Sequence, residues 1–114
     1  SVRKNLKPST KQRFISIDFD YPPADKERAI VAAEGGVPEA MADKFVLLAN
    51  DVRGIATIDL EEGVSTRALI HAARLVKRGM SPRRAASLAI AQAVSDEAEE
   101  IAAVEVIIGN VFPS

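Results

Sequence analysis

Only one run in this chain alternates as a β-strand does. Phe14-Ile15-Ser16-Ile17-Asp18-Phe19 places Ile15, Ile17 and Phe19 at period two. A lone strand is not a sheet, because its backbone N–H and C=O groups need a second strand to pair with. Either residues 14–19 pair with another molecule, or the chain is a piece of something larger. Asp20-Tyr21-Pro22-Pro23 ends the run, since neither proline can donate to a ladder.

Beyond these prolines the chain reads mostly as helix. Pro23 stands near the start of a predicted helix over 24–34, and Gly35-Gly36 closes it. Pro38 begins a second, with Met41, Phe45, Leu48, Ala49 and Val52 along one face. Gly54 weakens it, and Ile55 to Leu60 fit neither pattern. Gly63-Val64-Ser65-Thr66-Arg67 opens a third helix over 66–78, with Ser65 placed to cap it and Gly79 past its end. Its apolar face is Leu69, Ala72, Ala73 and Val76; Arg67, His71, Arg74 and Arg78 lie on another. Ser81-Pro82 supplies an N-cap and a first-turn proline for a fourth helix to about residue 94. Asp96 and Glu99 have the spacing of a capping box before a fifth helix carrying Ile101, Val104 and Ile108. A short helical turn is expected from Pro8 to Arg13. Aromatic residues are only 4% and alanine is abundant, which favours closely packed helices over a β-sandwich. The expected fold is mainly α: one orphan strand, then a bundle of four or five helices.

The net charge of −1 gives no overall pull toward nucleic acid or membrane. Locally the charge is uneven. Residues 1–13 and 64–95 carry cations without acids, so they are either two walls of an anion site or partners for the acids at Asp59, Glu61, Glu62 and 96–100. There is no cysteine, which excludes disulfides and thiolate zinc sites, and a single histidine, His71, argues against a transition-metal centre. No serine-hydrolase elbow and no glycine-rich phosphate loop with Lys-Ser/Thr occurs. No run is long and apolar enough to span a bilayer and no signal peptide is visible, so a cytoplasmic protein is expected. Arg67 is the odd residue, because a helix N-terminus is partly positive and disfavours a cation. A bound anion would reconcile the two. A solvated arginine is the simpler account on chemistry alone.

Four stretches carry a resemblance that covers nearly the whole chain in order. They are Leu6-Lys7-Pro8-Ser9-Thr10-Lys11-Gln12-Arg13-Phe14, Phe19-Asp20-Tyr21-Pro22, Leu60-Glu61-Glu62-Gly63-Val64-Ser65-Thr66-Arg67 and Ala72-Ala73-Arg74-Leu75. Together they resemble the C-terminal part of the CbbQ/NirQ/NorQ family, MoxR-type AAA+ ATPases. The resemblance implies that residues 1–20 are the end of an ATPase core, with 14–19 as its last strand, and that 21–114 are the helical lid. Walker A, Walker B and sensor 1 would lie upstream. Arg13 matches the family's arginine finger, which acts in trans on the nucleotide of a neighbouring subunit. Arg67 matches the sensor-2 arginine, which contacts the nucleotide of its own subunit. ATP and Mg are implied for the full-length ATPase and no cofactor for this chain alone. The implied partners are the other subunits of a homo-oligomeric ring, expected to be a hexamer, and a von Willebrand A-type protein. Such rings remodel or activate a metalloenzyme of the nitric oxide reductase or rubisco type. The chain departs from the family at Gly54 to Ile58, where a more charged continuation of the second helix is expected; the path over residues 54–62 is left open.

Two other functions compete. The helices at 66–78 and 82–94, joined by Gly79-Met80-Ser81, have the form of a helix-turn-helix with Arg83-Arg84 opening the second. Against nucleic-acid binding stand the near-neutral charge and the lack of Asn or Gln early in that helix. The remaining alternative is an oligomerisation module built on the strand.

Overall fold

The structure, a computed structural model, describes residues 21–55, 64–92 and 95–113. Among these residues there are five helices and no strand. The expected strand at 14–19, the turn at 8–13 and the boundary at residue 20 lie outside them, as does most of the 54–62 connection.

Helix α1 spans Ala24–Gly35 and α2 spans Glu39–Arg53, each starting directly behind a proline, Pro23 and Pro38. Between them Gly36 takes φ 74°, a left-handed conformation suited to glycine, and its N–H closes α1 on the Ala32 carbonyl. α2 buries Ala42, Phe45, Val46, Leu48, Ala49 and Val52, while Met41 is only half-buried. It ends at Arg53, with Gly54 as its C-cap.

Helix α3 spans Thr66–Lys77. Ser65 caps it as expected, accepting from the Ala68 N–H at 3.1 Å. Leu69, Ala72 and Ala73 are buried and Val76 is half-buried. α1 and α3 pack most closely of all: a β-carbon on Gly35 would overlap the Ala73 methyl. Two small residues facing each other allow that approach.

Helix α4 spans Pro82–Ala86, with Ser81 accepting from the Arg84 N–H at 3.3 Å, and continues as a π-helical turn over Ser87–Ala91. The sequence pattern predicts a uniform α-helix here, and the structure departs from it. The wider turn lets three consecutive residues, Ala89, Ile90 and Ala91, all face the core, where a regular α-helix would turn one of them outward. The Ser87 hydroxyl within it donates to the Glu105 carboxylate of the last helix.

Helix α5 spans Ala98–Val111 and buries Val104 and Ile108, with Ile101 half-buried. The Asp96–Glu99 capping box does not form. The helix starts later, with Glu97 at the N-cap and no side-chain cap. Ser95 organises this turn instead: its hydroxyl accepts from the Glu97 N–H at 3.0 Å and donates to Glu100. Phe112 folds back onto α2, its ring 5.2 Å from that of Phe45. The core therefore runs from α1 and α3 through α2 to α5, and no helix of the described residues is long and apolar enough to cross a membrane.

Candidate functional site

Glu27, Val31 and Gly35 are spaced four apart and share the buried face of α1. A carboxylate there is unfavourable unless it is paired and hydrogen-bonded. Glu27 is 0% exposed, and both of its oxygens are used. Arg53, from the last turn of α2, closes a two-pronged bond: Nη1 donates to Oε1 at 2.9 Å and Nη2 to Oε2 at 2.8 Å. The Thr66 hydroxyl, at the first residue of α3, donates to Oε2 at 2.7 Å.

Arg53 does more than pair. Its Nε and Nη2 both donate to the Val64 carbonyl, at 3.0 and 2.7 Å, and Nη1 donates to Asn50 Oδ1 at 3.1 Å. Its guanidinium lies 3.6 Å from the centre of the Tyr21 ring, a cation–π stack. One buried ion pair thus holds the chain before α1, the end of α2 and the start of α3 together.

The electrostatics follow from this packing. Burial pushes the Glu27 carboxyl up, but the hydrogen bonds from Arg53 and Thr66 and the Arg53 charge outweigh it and hold the group below its ordinary range. Burial raises the Tyr21 phenol; the Arg53 charge and hydrogen bond and the Val64 backbone oppose this, and the Glu27 charge adds to it. With its carboxylate fully committed, Glu27 is not a general base. It is structural machinery beside a candidate binding residue.

That residue is Arg67. It follows Thr66 directly, in a first turn with no acid, and is exposed; among the described residues no hydrogen bond or ion pair holds it. Its guanidinium and the positive end of α3 can share one anion. His71, Arg74 and Arg78 are exposed along the same helix, as expected from their spacing. Arg74 is partly engaged, donating to the Glu34 carbonyl at 3.1 Å and lying 3.8 Å from its carboxylate. Arg83, a cation of the helix-turn-helix alternative, donates to the Pro113 carbonyl at 3.1 Å within the chain, and Arg84 is exposed. Arg13 lies outside the described residues. Among the described residues no group of three or more His, Asp or Glu could hold a metal ion. For ATP the donor set fits one contact, a phosphate oxygen at Arg67. The loop that cradles phosphates is not among the 114 residues.

Tyr21, Glu27, Arg53 and Thr66 are not legible as a unit in the sequence. The one sign of them is an acid in line with Val31 and Gly35 on what would be the inner face of a helix. Its partner is 26 residues away, beyond any local pattern.

Comparison with known proteins brings out the same chain. A family model described as CbbQ/NirQ/NorQ C-terminal matches residues 27–111. The denitrification regulatory protein NirQ of Pseudomonas aeruginosa is 46% identical over 103 residues, covering 90% of this chain and 40% of that protein. Protein NorQ of Paracoccus denitrificans is 44% identical over 99 residues, covering 87% and 37%. Protein CbbQ of Hydrogenophilus thermoluteolus is 43% identical over 97 residues, covering 85% and 36%. The chain spans about two-fifths of the length of the curated relatives it matches.

Proposed function

The chain belongs to the CbbQ/NirQ/NorQ C-terminal family, and from that premise we propose that it is the helical lid of a ring-forming MoxR-type AAA+ ATPase. In this reading residues 21–114 are the lid and residues 1–20 the end of the ATPase core. ATP and Mg bind mainly to the core, and Arg67 reaches the nucleotide of its own subunit as sensor 2. Arg13 serves the neighbouring subunit as an arginine finger. The ring is homo-oligomeric, works in the cytoplasm with a von Willebrand A-type partner, and activates a metalloenzyme of the nitric oxide reductase or rubisco type. The Pseudomonas aeruginosa relative is named as a denitrification regulatory protein, which agrees with a client on that side.

The observation that carries the reading is the placement of Arg67. A cation in the first turn of a helix opposes the helix dipole. Here it is also exposed, and among the described residues no hydrogen bond or ion pair holds it, while Thr66 beside it is tied to the buried Glu27 carboxylate. An arginine so placed gains most when an anion arrives. ATP supplies that anion when bound; this chain's part is to orient one guanidinium toward it and to move with it.

The test is nucleotide affinity of the complete protein that carries this chain, comparing wild type with Arg67→Ala. Weaker binding is expected. Unchanged affinity, with unchanged lid motion on adding ATP, rejects Arg67 as sensor 2.

A further inference from the structure

A sensor is useful only if its backbone has a defined position, and Arg67 lies two residues into α3, where helix ends ordinarily fray. Ser65 fixes the N–H side of this turn by capping Ala68. That cap is local and moves with the helix. What ties the turn to the rest of the molecule is the carboxylate of Glu27. It accepts from the Thr66 hydroxyl at 2.7 Å and grips Arg53, whose guanidinium takes the Val64 carbonyl from the other side. Residues on both sides of Ser65 are therefore held by one buried acid, 39 positions before Thr66. The ion pair itself is closed off from water, its Arg53 side chain only 8% exposed and its Glu27 side chain 0%. A buried network whose polar groups are all satisfied rigidifies the residues it joins. Tyr21, stacked on Arg53, extends the same network to the residues that lead out of segment 1–20.

We propose that Glu27 is the positioning residue for Arg67. Through Thr66 and Arg53 it sets the start of α3, and through Tyr21 it links that start to the chain arriving from residues 1–20. The inference rests on the sensor reading of Arg67. It adds that a residue with no contact to nucleotide governs how tightly nucleotide is held.

The test uses the complete protein. Affinity for a fluorescent ATP analogue is measured for wild type, Glu27→Gln, Arg67→Ala and the double variant, together with amide hydrogen exchange of each. Glu27→Gln keeps the shape of the side chain and removes the charge that Arg53 is matched to. The expected result is affinity lower by about two- to thirtyfold, the range for residues that act through others. Adding Glu27→Gln to Arg67→Ala should cause no further loss. Exchange should quicken at residues 64–69 and stay unchanged in the middle of α2 and α5. Three results overturn the proposal: wild-type affinity for Glu27→Gln in a protein that Arg67→Ala weakens, additive losses in the double variant, or exchange raised equally throughout the bundle. If Arg67→Ala leaves affinity untouched, the sensor reading fails by itself. The exchange at 64–69 then decides separately whether Glu27 sets the start of α3. Should Glu27→Gln fail to fold, Thr66→Val removes one hydrogen bond at nearly constant volume and carries the same comparison.

Discussion

Arg53 meets Glu27 end-on, with two nitrogens on two oxygens at 2.9 and 2.8 Å. The pair joins the first turn of α1 to the last turn of α2. Around it the Val64 carbonyl and the Thr66 hydroxyl complete the hydrogen bonding, so no buried side-chain nitrogen or oxygen among the described residues lacks a partner. The pair is better understood as a specification of geometry than as a large source of stability, since desolvating two charges offsets much of their attraction.

Removing one half of the pair is another matter. Arg53→Ala leaves a carboxylate inside the bundle with only Thr66 to satisfy it. The expected loss of unfolding free energy is about 3 kcal/mol, as for other broken buried pairs. Urea denaturation of wild type and variant measures it. A loss under about 1 kcal/mol would mean that water reaches Glu27 once Arg53 is gone.

The pH dependence has a definite sign. The Glu27 carboxyl is held below its ordinary value in the folded chain. Its contribution is thus complete above the unfolded value of about 4.3 and is lost as pH falls through the lower folded value. Wild type should be more stable than Glu27→Gln near neutral pH, and the gap should close in acid. The quantity to follow is the difference in unfolding free energy between the two proteins from about pH 6 down to about pH 2.5, because the other carboxylates cancel in it. A gap that does not depend on pH would contradict the assignment.

The α1–α3 contact makes a third prediction. Gly35→Ala gains helix propensity, at most about 1 kcal/mol, but drives a methyl into Ala73. Overpacking of this kind costs about 1–3 kcal/mol, so the variant should be less stable. Ala73→Gly added to Gly35→Ala should recover part of the loss, because it removes the methyl that is struck. Thermal melts of the two single variants and the double variant form the cycle. Additive losses would show that the two helices do not meet here.

On the proposed function, Arg13 and Arg67 should fail differently in a ring. Arg13→Ala should leave nucleotide binding nearly intact and slow hydrolysis by about 10³-fold or more, as fingers act on the transition state. In rings mixed with wild type, Arg13→Ala subunits should lower the activity of their neighbours, whereas Arg67→Ala subunits should mainly silence themselves. ATPase rate against mutant fraction separates the two. Identical mixing curves, or loss of nucleotide binding in Arg13→Ala alone, would contradict the division into trans and cis roles.

The helical bundle and its punctuation are legible in the amino-acid order because they depend on neighbours. Ser65 and Ser81 cap because a hydroxyl reaches an N–H three residues on, and both caps form. Leu69, Ala72 and Ala73 are buried because helical spacing puts them on one side. Arg67 at the start of α3 and the exposed row His71, Arg74 and Arg78 come from the same geometry. Where local signals compete, spacing alone misleads. Asp96 and Glu99 have the right spacing for a cap, but Ser95 hydrogen-bonds within the same turn and α5 begins later. Other features are set only by packing between helices. The π turn at Ser87–Ala91 lets three consecutive residues reach a core whose far wall is α5. Gly35 fits because Ala73 comes to lie against it from another helix. Glu27 and Arg53 carry nothing in their neighbourhoods that names the other. Only folding brings them into one buried site, where an ion pair can fix a geometry that exposed charges leave loose.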